Sequence, residues 1–404
     1  MSRWRVFGLF SAAYVLSYFY GSANAVISPD LARELSLGAG DLGFMTSLFY
    51  ATFAAAQLPL GAALDRFGPR ATVPALMLLA AAGSVVFASA DSFAALMAGR
   101  ALMGAGMAAV LMGSFKAFSL WFPPGRFAAA AGLVMGIGAA GGLLSATPLA
   151  YASELFGWRS VFLWGAAVVT ASAASIFFFT RSAPPGVALP RAEGGEGSGG
   201  FGAVFADGRF WRIAPLSFFA VGGLLGVQGL WAGPYLFDVV GLSKVSAGNV
   251  LLFMGVGAAA GAAASGLLAG RFGFYRVVLP CGVVFVLCQI ALAARFAPAA
   301  APYLLFGFSA AACDVLLAHA RAVFPPSMTG RVVTAVNLFG MGGVFVLQWA
   351  FGLVLDASQG SAGAEGGYPP AGYAVAFLLT AAGTTAALLF YLPLAREGKR
   401  SKRE

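Results

Sequence analysis

Asp314 is the most displaced acid in this sequence. Nearly all other carboxylates stand at the edges of apolar stretches, whereas Asp314 lies near the middle of one. If lipid surrounds that stretch, a charged carboxylate there costs about 2.5–3.5 kcal/mol even on the lenient scale. Such a group is a candidate for carrying a proton; the alternative reading is a buried acid paired to a neighbouring helix. Arg321 follows seven residues later, on the same face of a continuous helix and about 10 Å along its axis. That is too far for direct contact but suits two groups lining one aqueous path. Lys116 has two readings: a cationic anchor for a solute, or a side chain that snorkels to the membrane surface. Arg100 sits near the opposite end of the same stretch and has two readings, steering an anion or serving only as part of a local sequence motif. Three cations against one acid tilt a shared cavity positive, which favours an anionic or zwitterionic solute.

Neutral polar residues add candidates. The first apolar stretch carries Tyr14, Tyr18, Tyr20 and Asn24, the second Gln57, the seventh Gln228 and Trp231, and the eleventh Asn337 and Gln348. Each has a plain reading as an interhelical hydrogen bond worth about 0.6 kcal/mol; their gathering in four stretches points to a lined cavity. Chemistry beyond binding is poorly supplied. His319 is the single histidine, and Cys281, Cys288 and Cys313 all lie in apolar stretches. No zinc-like ligand spacing occurs, no Walker motif is present, and no nucleophile–base pair stands out. No cofactor, no metal and no enzymatic activity are expected.

These residues have to be positioned by elements suited to lipid. Of 404 residues, 60% are hydrophobic and 10% charged, against about 25% charged in soluble domains. A spanning helix needs about 20 mostly apolar residues. Such stretches run near 6–27, 42–63, 71–90, 94–118, 127–152 and 160–180, then 211–237, 246–269, 277–296, 302–323, 332–355 and 373–394. None alternates in polarity as barrel strands do. The Pro- and Gly-rich segment 181–209 reads as a linker. It divides a first bundle, 1–180, from a second, 210–404, which ends in a basic tail. Gly-rich 359–372 reads as a mobile loop. Trp121 and Trp158 read as aromatic anchors at opposite interfaces.

The net charge of +9 follows from Lys and Arg in short loops, a topogenic pattern rather than a nucleic-acid footprint. With the N-terminus inside, 18 basic residues fall on the inner side and 5 on the outer. Both termini and the linker are therefore expected in the cytoplasm, in a multi-pass protein of the plasma membrane.

The two halves also echo each other. Gly61-Ala-Ala-Leu-Asp-Arg-Phe-Gly68 returns as Gly266-Leu-Leu-Ala-Gly-Arg-Phe-Gly273, 205 positions later. Pro29 and Pro234, Asp41 and Ser246, and Arg126 and Arg331 share that offset, while Phe122-Pro-Pro124 and Phe324-Pro-Pro326 differ by 202. Repeats of six spans keep one orientation, which gives two bundles related by an axis along the membrane normal. A polar cleft between them would open alternately to either side.

With these motifs in place, the chain resembles the major facilitator superfamily of secondary transporters. The stretch Gly61 to Arg70, including Asp65, Arg66, Gly68 and Pro69, is similar to that family's loop between helices 2 and 3. Arg100-Ala-Leu-Met-Gly104-Ala-Gly106 is similar to its helix 4 motif, and Phe156-Gly-Trp-Arg159-Ser-Val-Phe162 to its entry into helix 6. The resemblance implies an all-α membrane protein of twelve helices in two pseudo-symmetric six-helix bundles. It implies a latch in which Asp65, Arg66 and Arg70 act with Arg271, and in which Gly61 lets two helices pack closely; a purely topogenic charge cluster is the alternative. It also implies a transporter that moves a small-molecule solute through the lipid bilayer; a monomer is expected, with protons as the coupling ion if Asp314 carries them. Gly270 stands where Asp65 does in the first half, and the fifth stretch lacks the Gly-Pro pair typical of drug–proton antiporters. Multidrug efflux, and a transporter-like sensor that moves nothing, stay open as alternatives.

Overall fold

In lipid the backbone must satisfy its own hydrogen bonds, so continuous apolar stretches become helices. The computed structural model describes residues 2–184, 201–295, 300–325, 328–358 and 367–400, and holds no strand among them. The first six spans are α1 (Arg3–Ser22 and Asn24–Leu35), α2 (Ala39–Phe67), α3 (Pro69–Ala88), α4 (Phe93–Met107 and Ala109–Trp121), α5 (Pro124–Leu144 and Thr147–Phe156) and α6 (Trp158–Phe179). The second six are α7 (Gly208–Gly226, the π-turn Val227–Trp231, and Ala232–Asp238), α8 (Lys244–Phe272), α9 (Phe274–Ala293), α10 (Ala300–Ala312 and Val315–Val323), α11 (Thr329–Ser358) and α12 (Pro370–Arg400). Eleven are long and apolar enough to cross a bilayer unaided, and the two parts of α1, bent by 45°, make a twelfth.

Two sequence expectations change here. The first stretch is not one helix over 6–27, because it breaks at Ala23 and continues to Leu35. The tenth is not continuous, because Cys313 and Asp314 donate to Ala310 and Ala311, three residues back, at 3.0 Å. Within the expected linker 181–209, residues 185–200 lie outside the described ones, as do 359–366 of the loop, Pro326 and the last four residues of the tail. The linker's end is partly helical, at Phe201–Phe205.

The helices gather into two compact units. One comprises Met1–Leu37 and Met45–Gly195; the other comprises Gly38–Phe44 and Glu196–Glu404. In the first, α3 packs on α4 and α6, and α1 on α5; in the second, α7 packs on α11, α9 on α12 and α8 on α10. Small residues allow these approaches, since dispersion rather than the hydrophobic effect holds helices together in lipid. A Cβ on Gly106 would collide with the amide of Ala80, and one on Gly222 would stand 2.5 Å from the carbonyl carbon of Gly343. Large apolar side chains such as Phe178 and Leu267 remain 71% and 80% exposed, the surface expected of a protein whose solvent is lipid.

The 205-residue offset extends to the backbone. Gly68 and Gly273 take φ of 74° and 84° in the turns that start α3 and α9, a region open to glycine. Ser36 and Gly241, at the same offset, also have positive φ. The break in α4 at Ala108 matches that in α10 at Cys313, and the bend of α1 at Ala23 matches Gln228 within the π-turn of α7.

Candidate functional site

The bend in α1 has a local consequence. Carbonyls of its last regular turn lose their helical partners and need other donors. Arg100 on α4 donates from Nη1 to the carbonyl of Tyr20 at 2.9 Å, and Tyr50 on α2 donates its hydroxyl to the carbonyl of Gly21 at 3.0 Å. The same position of the second unit behaves alike: Gly226, 205 residues after Gly21, accepts from Nε2 of Gln348 at 3.3 Å beside the π-turn. Loosened turns in both units are thus held by side chains from neighbouring helices.

Arg100 is fully buried. Its guanidinium lies 4.9 Å from the ring centroid of Phe49. Among the described residues its Nε and Nη2 have no hydrogen-bond partner. These two nitrogens form one edge of the planar fork, the edge suited to a bidentate carboxylate. Each buried donor left unpaired costs about 1–3 kcal/mol, so an arginine used only to brace α1 is an expensive choice. Tyr20 lies beside it, donating to Ser84 Oγ at 2.9 Å, and Ser84 donates to the carbonyl of Phe162 at 2.7 Å. Asn24 donates to Thr46 Oγ1 at 2.8 Å, and its own Oδ1 is unpartnered.

Lys116 is not a free anchor. Its Nζ meets Asp65 Oδ1 at 2.7 Å, with the side chains 23% and 33% exposed. The charges of the α2–α3 turn therefore do not pair among themselves. Asp65 turns to α4, Arg70 donates Nε to the carbonyl of Phe177 on α6 at 2.8 Å, and Arg66 stacks over Phe67 at 5.1 Å. Arg271 repeats that last contact over Phe272 at 5.4 Å. Gly61 does not serve close packing within its unit, because an added Cβ meets no atom within 4 Å.

Asp314 sits on the broken turn of α10. It is half-buried, with no side-chain hydrogen bond or ion pair among the described residues. Arg321 is exposed at the end of α10, and the break at Asp314 removes the continuous face on which the two were aligned. His319 is packed, with Nδ1 3.0 Å from the hydroxyl of Tyr391. Gln57 and Asn337 are half-buried. Trp231, stacked on Phe351 at 5.2 Å, donates to the carbonyl of Gln348 at 2.7 Å, and Gln228 is buried on the same turn. Trp158 is 3% exposed and donates to Glu34 at 3.0 Å, so it is a core residue rather than a lipid-facing anchor.

Sequence reasoning overlooked Asp356. Its oxygens accept from the amides of Ala39 and Gly40 at 2.9 and 2.7 Å. The available signal was a missing cap: Gly38 stands where the second repeat has Ser243, which caps α8.

Comparison with known proteins accords with this architecture. "Uncharacterized transporter YybO" of Bacillus subtilis (strain 168) is 29% identical over 162 residues, 40% of this chain and 37% of that protein. The nitrate/nitrite transporter NrtP of Picosynechococcus sp. (strain ATCC 27264 / PCC 7002 / PR-6) is 30% identical over 41% of this chain and 30% of its own length. These matches span well under half of those two relatives. A hexuronate transporter of Bacillus subtilis (strain 168) is 25% identical over 334 residues, 80% of this chain and 77% of that protein. A solved bacterial homolog of the human lysosomal transporter Spinster superposes with a TM-score of 0.73 at 18% identity, covering 96% of this chain and 95% of that one, a likeness of fold. The profile of the Major Facilitator Superfamily matches residues 10–348, and this chain belongs to that family, one of membrane transporters and not of enzymes.

Proposed function

We propose that this protein is a secondary transporter of a small organic anion, working by alternating access between its two repeats and coupled to protons. The observation that carries the reading is the buried guanidinium of Arg100 with its Nε–Nη2 edge unpartnered. A carboxylate matches that edge with two parallel charge-assisted hydrogen bonds. Arg100 is fully buried in this conformation, so binding includes a movement of the side chains that cover its edge. The named solutes of two relatives, hexuronate and nitrate or nitrite, are anions, which supports the same class. Asp314 is the proposed proton carrier, since it lies near the middle of a spanning helix and has no side-chain hydrogen bond or ion pair among the described residues. Both termini are proposed to be cytoplasmic, from the excess of basic residues on that side, in the plasma membrane of the cell.

The test uses purified protein in proteoliposomes with galacturonate as the probe. Counterflow and uptake are expected, together with a rise in melting temperature, because a ligand at 100 times its Kd adds about 2.7 kcal/mol. Arg100→Lys keeps the charge and removes the fork; it should raise the half-saturating concentration roughly tenfold or more, a loss of about 1.4 kcal/mol. Counterflow also separates transport from sensing. Equal half-saturation in Arg100→Lys and the parent protein would remove Arg100 from the site. Counterflow of a lipophilic cation without any of galacturonate would favour the efflux alternative.

A further inference from the structure

The first seven residues around the start of α2 belong to the second unit, whereas the rest of that helix belongs to the first. Asp356, at the end of α11, holds the start of this segment. Its Oδ1 and Oδ2 take the free amides of Ala39 and Gly40, and a carboxylate at a helix N-terminus also meets the positive end of the helix dipole. The surrounding surface is shaped for this approach. A Cβ on Gly40 would stand 2.7 Å from Asp356 Oδ2, and one on Gly43 would stand 2.8 Å from the carbonyl oxygen of Gln348. A Cβ on Gly352 would collide with the carbonyl of Ala39. Phe44 closes the contact, edge-on to Trp349 at 5.1 Å and to Phe345 at 6.0 Å.

The repeat shows what is unusual here. Ser243 caps α8 from within its own segment, accepting from the amide of Ser246 at 3.3 Å. At the equivalent place in the first half stands Gly38, which has no side chain to do so. Position 151, equivalent to Asp356, is an exposed tyrosine. One repeat caps its first turn from Ser243, and in the other the amide of Ala39 is capped by a residue 317 positions away in the sequence.

We propose that Asp356 is a releasable clasp, a positioning residue that holds Gly38–Phe44 on α11 in one conformation and frees it in another, at the end of the helices opposite the chain termini. Its role rests on the transport reading above, in that a clasp is useful only to a protein that changes conformation. The local carboxylate of Asp41 accepts only from the amide of Gly38, at 3.3 Å, so the amides of Ala39 and Gly40 depend on the distant Asp356.

The experiment follows the accessibility of Ala39→Cys, a position fully buried in the docked arrangement. Full-length protein in lipid nanodiscs is treated with a membrane-impermeant sulfonated maleimide, and the unsubstituted chain gives the background from Cys281, Cys288 and Cys313. Labelling should be slow with Asp356 present and roughly tenfold faster with Asp356→Ala, the change that about 1.4 kcal/mol of docking produces. Asp356→Asn, which keeps an acceptor and loses the charge, should fall between. Gly38→Ser added to Asp356→Ala supplies the local cap found in the other repeat. It should restore melting temperature and leave labelling fast. Unchanged labelling in both Asp356 variants overturns the clasp, and so does slow labelling restored by Gly38→Ser, because Asp356 would then be only a cap. No solute enters this assay, so its failure leaves the anion reading intact, and failed galacturonate uptake leaves the labelling result intact.

Discussion

Arg100 and Lys116 carry the same charge on the same helix and end in different company. Lys116 finds Asp65, and the pair is complete at 2.7 Å. Arg100 finds a carbonyl and a ring and keeps two donors idle. Sequence position alone could not separate them, because the partner of each comes from another helix. Asp314 is likewise defined by what does not reach it. If it carries the coupling proton, Asp314→Asn should abolish uptake driven by a pH gradient while sparing counterflow, which needs no net proton movement. Retention of gradient-driven uptake in proteoliposomes would show that the proton travels elsewhere. The acid itself was legible from the cost of charge in an apolar stretch; its isolation from Arg321 was not, because the break in α10 depends on packing.

Glycines show how elements meet, and they divide by what faces them. A Cβ on Gly104 would collide with the carbonyl of Phe49, and one on Gly261 with the carbonyl of Phe308. Gly61 faces open space within its unit. Gly104→Ala should therefore lower stability by about 1–3 kcal/mol through overpacking. Gly61→Ala should be neutral or stabilising by up to about 1 kcal/mol through helix propensity. Denaturation of the two variants in one detergent checks the pair; equal losses would mean that the α2–α4 contact is looser than described. Helix existence, and the turns at Gly68 and Gly273, could be read from the sequence because they follow from local composition. The breaks at Ala23, Ala108 and Cys313 could not. The side chains that satisfy their freed carbonyls, such as Tyr50 for Gly21, lie on other helices.

At the scale of the molecule, duplication supplies two six-helix units, and the departures from it supply individuality. Gly38 against Ser243, and Tyr151 against Asp356, are such departures, as is Asp65 against Gly270. The proposed orientation in the membrane rests on charge counted over the whole chain. In intact cells an impermeant maleimide should label Asp91→Cys, whose native side chain is 96% exposed between α3 and α4, and should leave Ser182→Cys, beyond α6, unlabelled until the membrane is opened. The reverse pattern would invert the assignment.

The amino-acid order determined by itself that this chain crosses lipid about twelve times, that its halves are copies, and which family it resembles. Each of these is a local or periodic property: apolar length, basic loop residues, a repeated offset. Tertiary structure decided which polar groups have partners. It paired Lys116 with Asp65, left an edge of Arg100 unpartnered, and brought Asp356 to the amides of Ala39 and Gly40. Hydrogen bonds act over about 3 Å, and such distances between residues far apart in the chain exist only after the helices have packed.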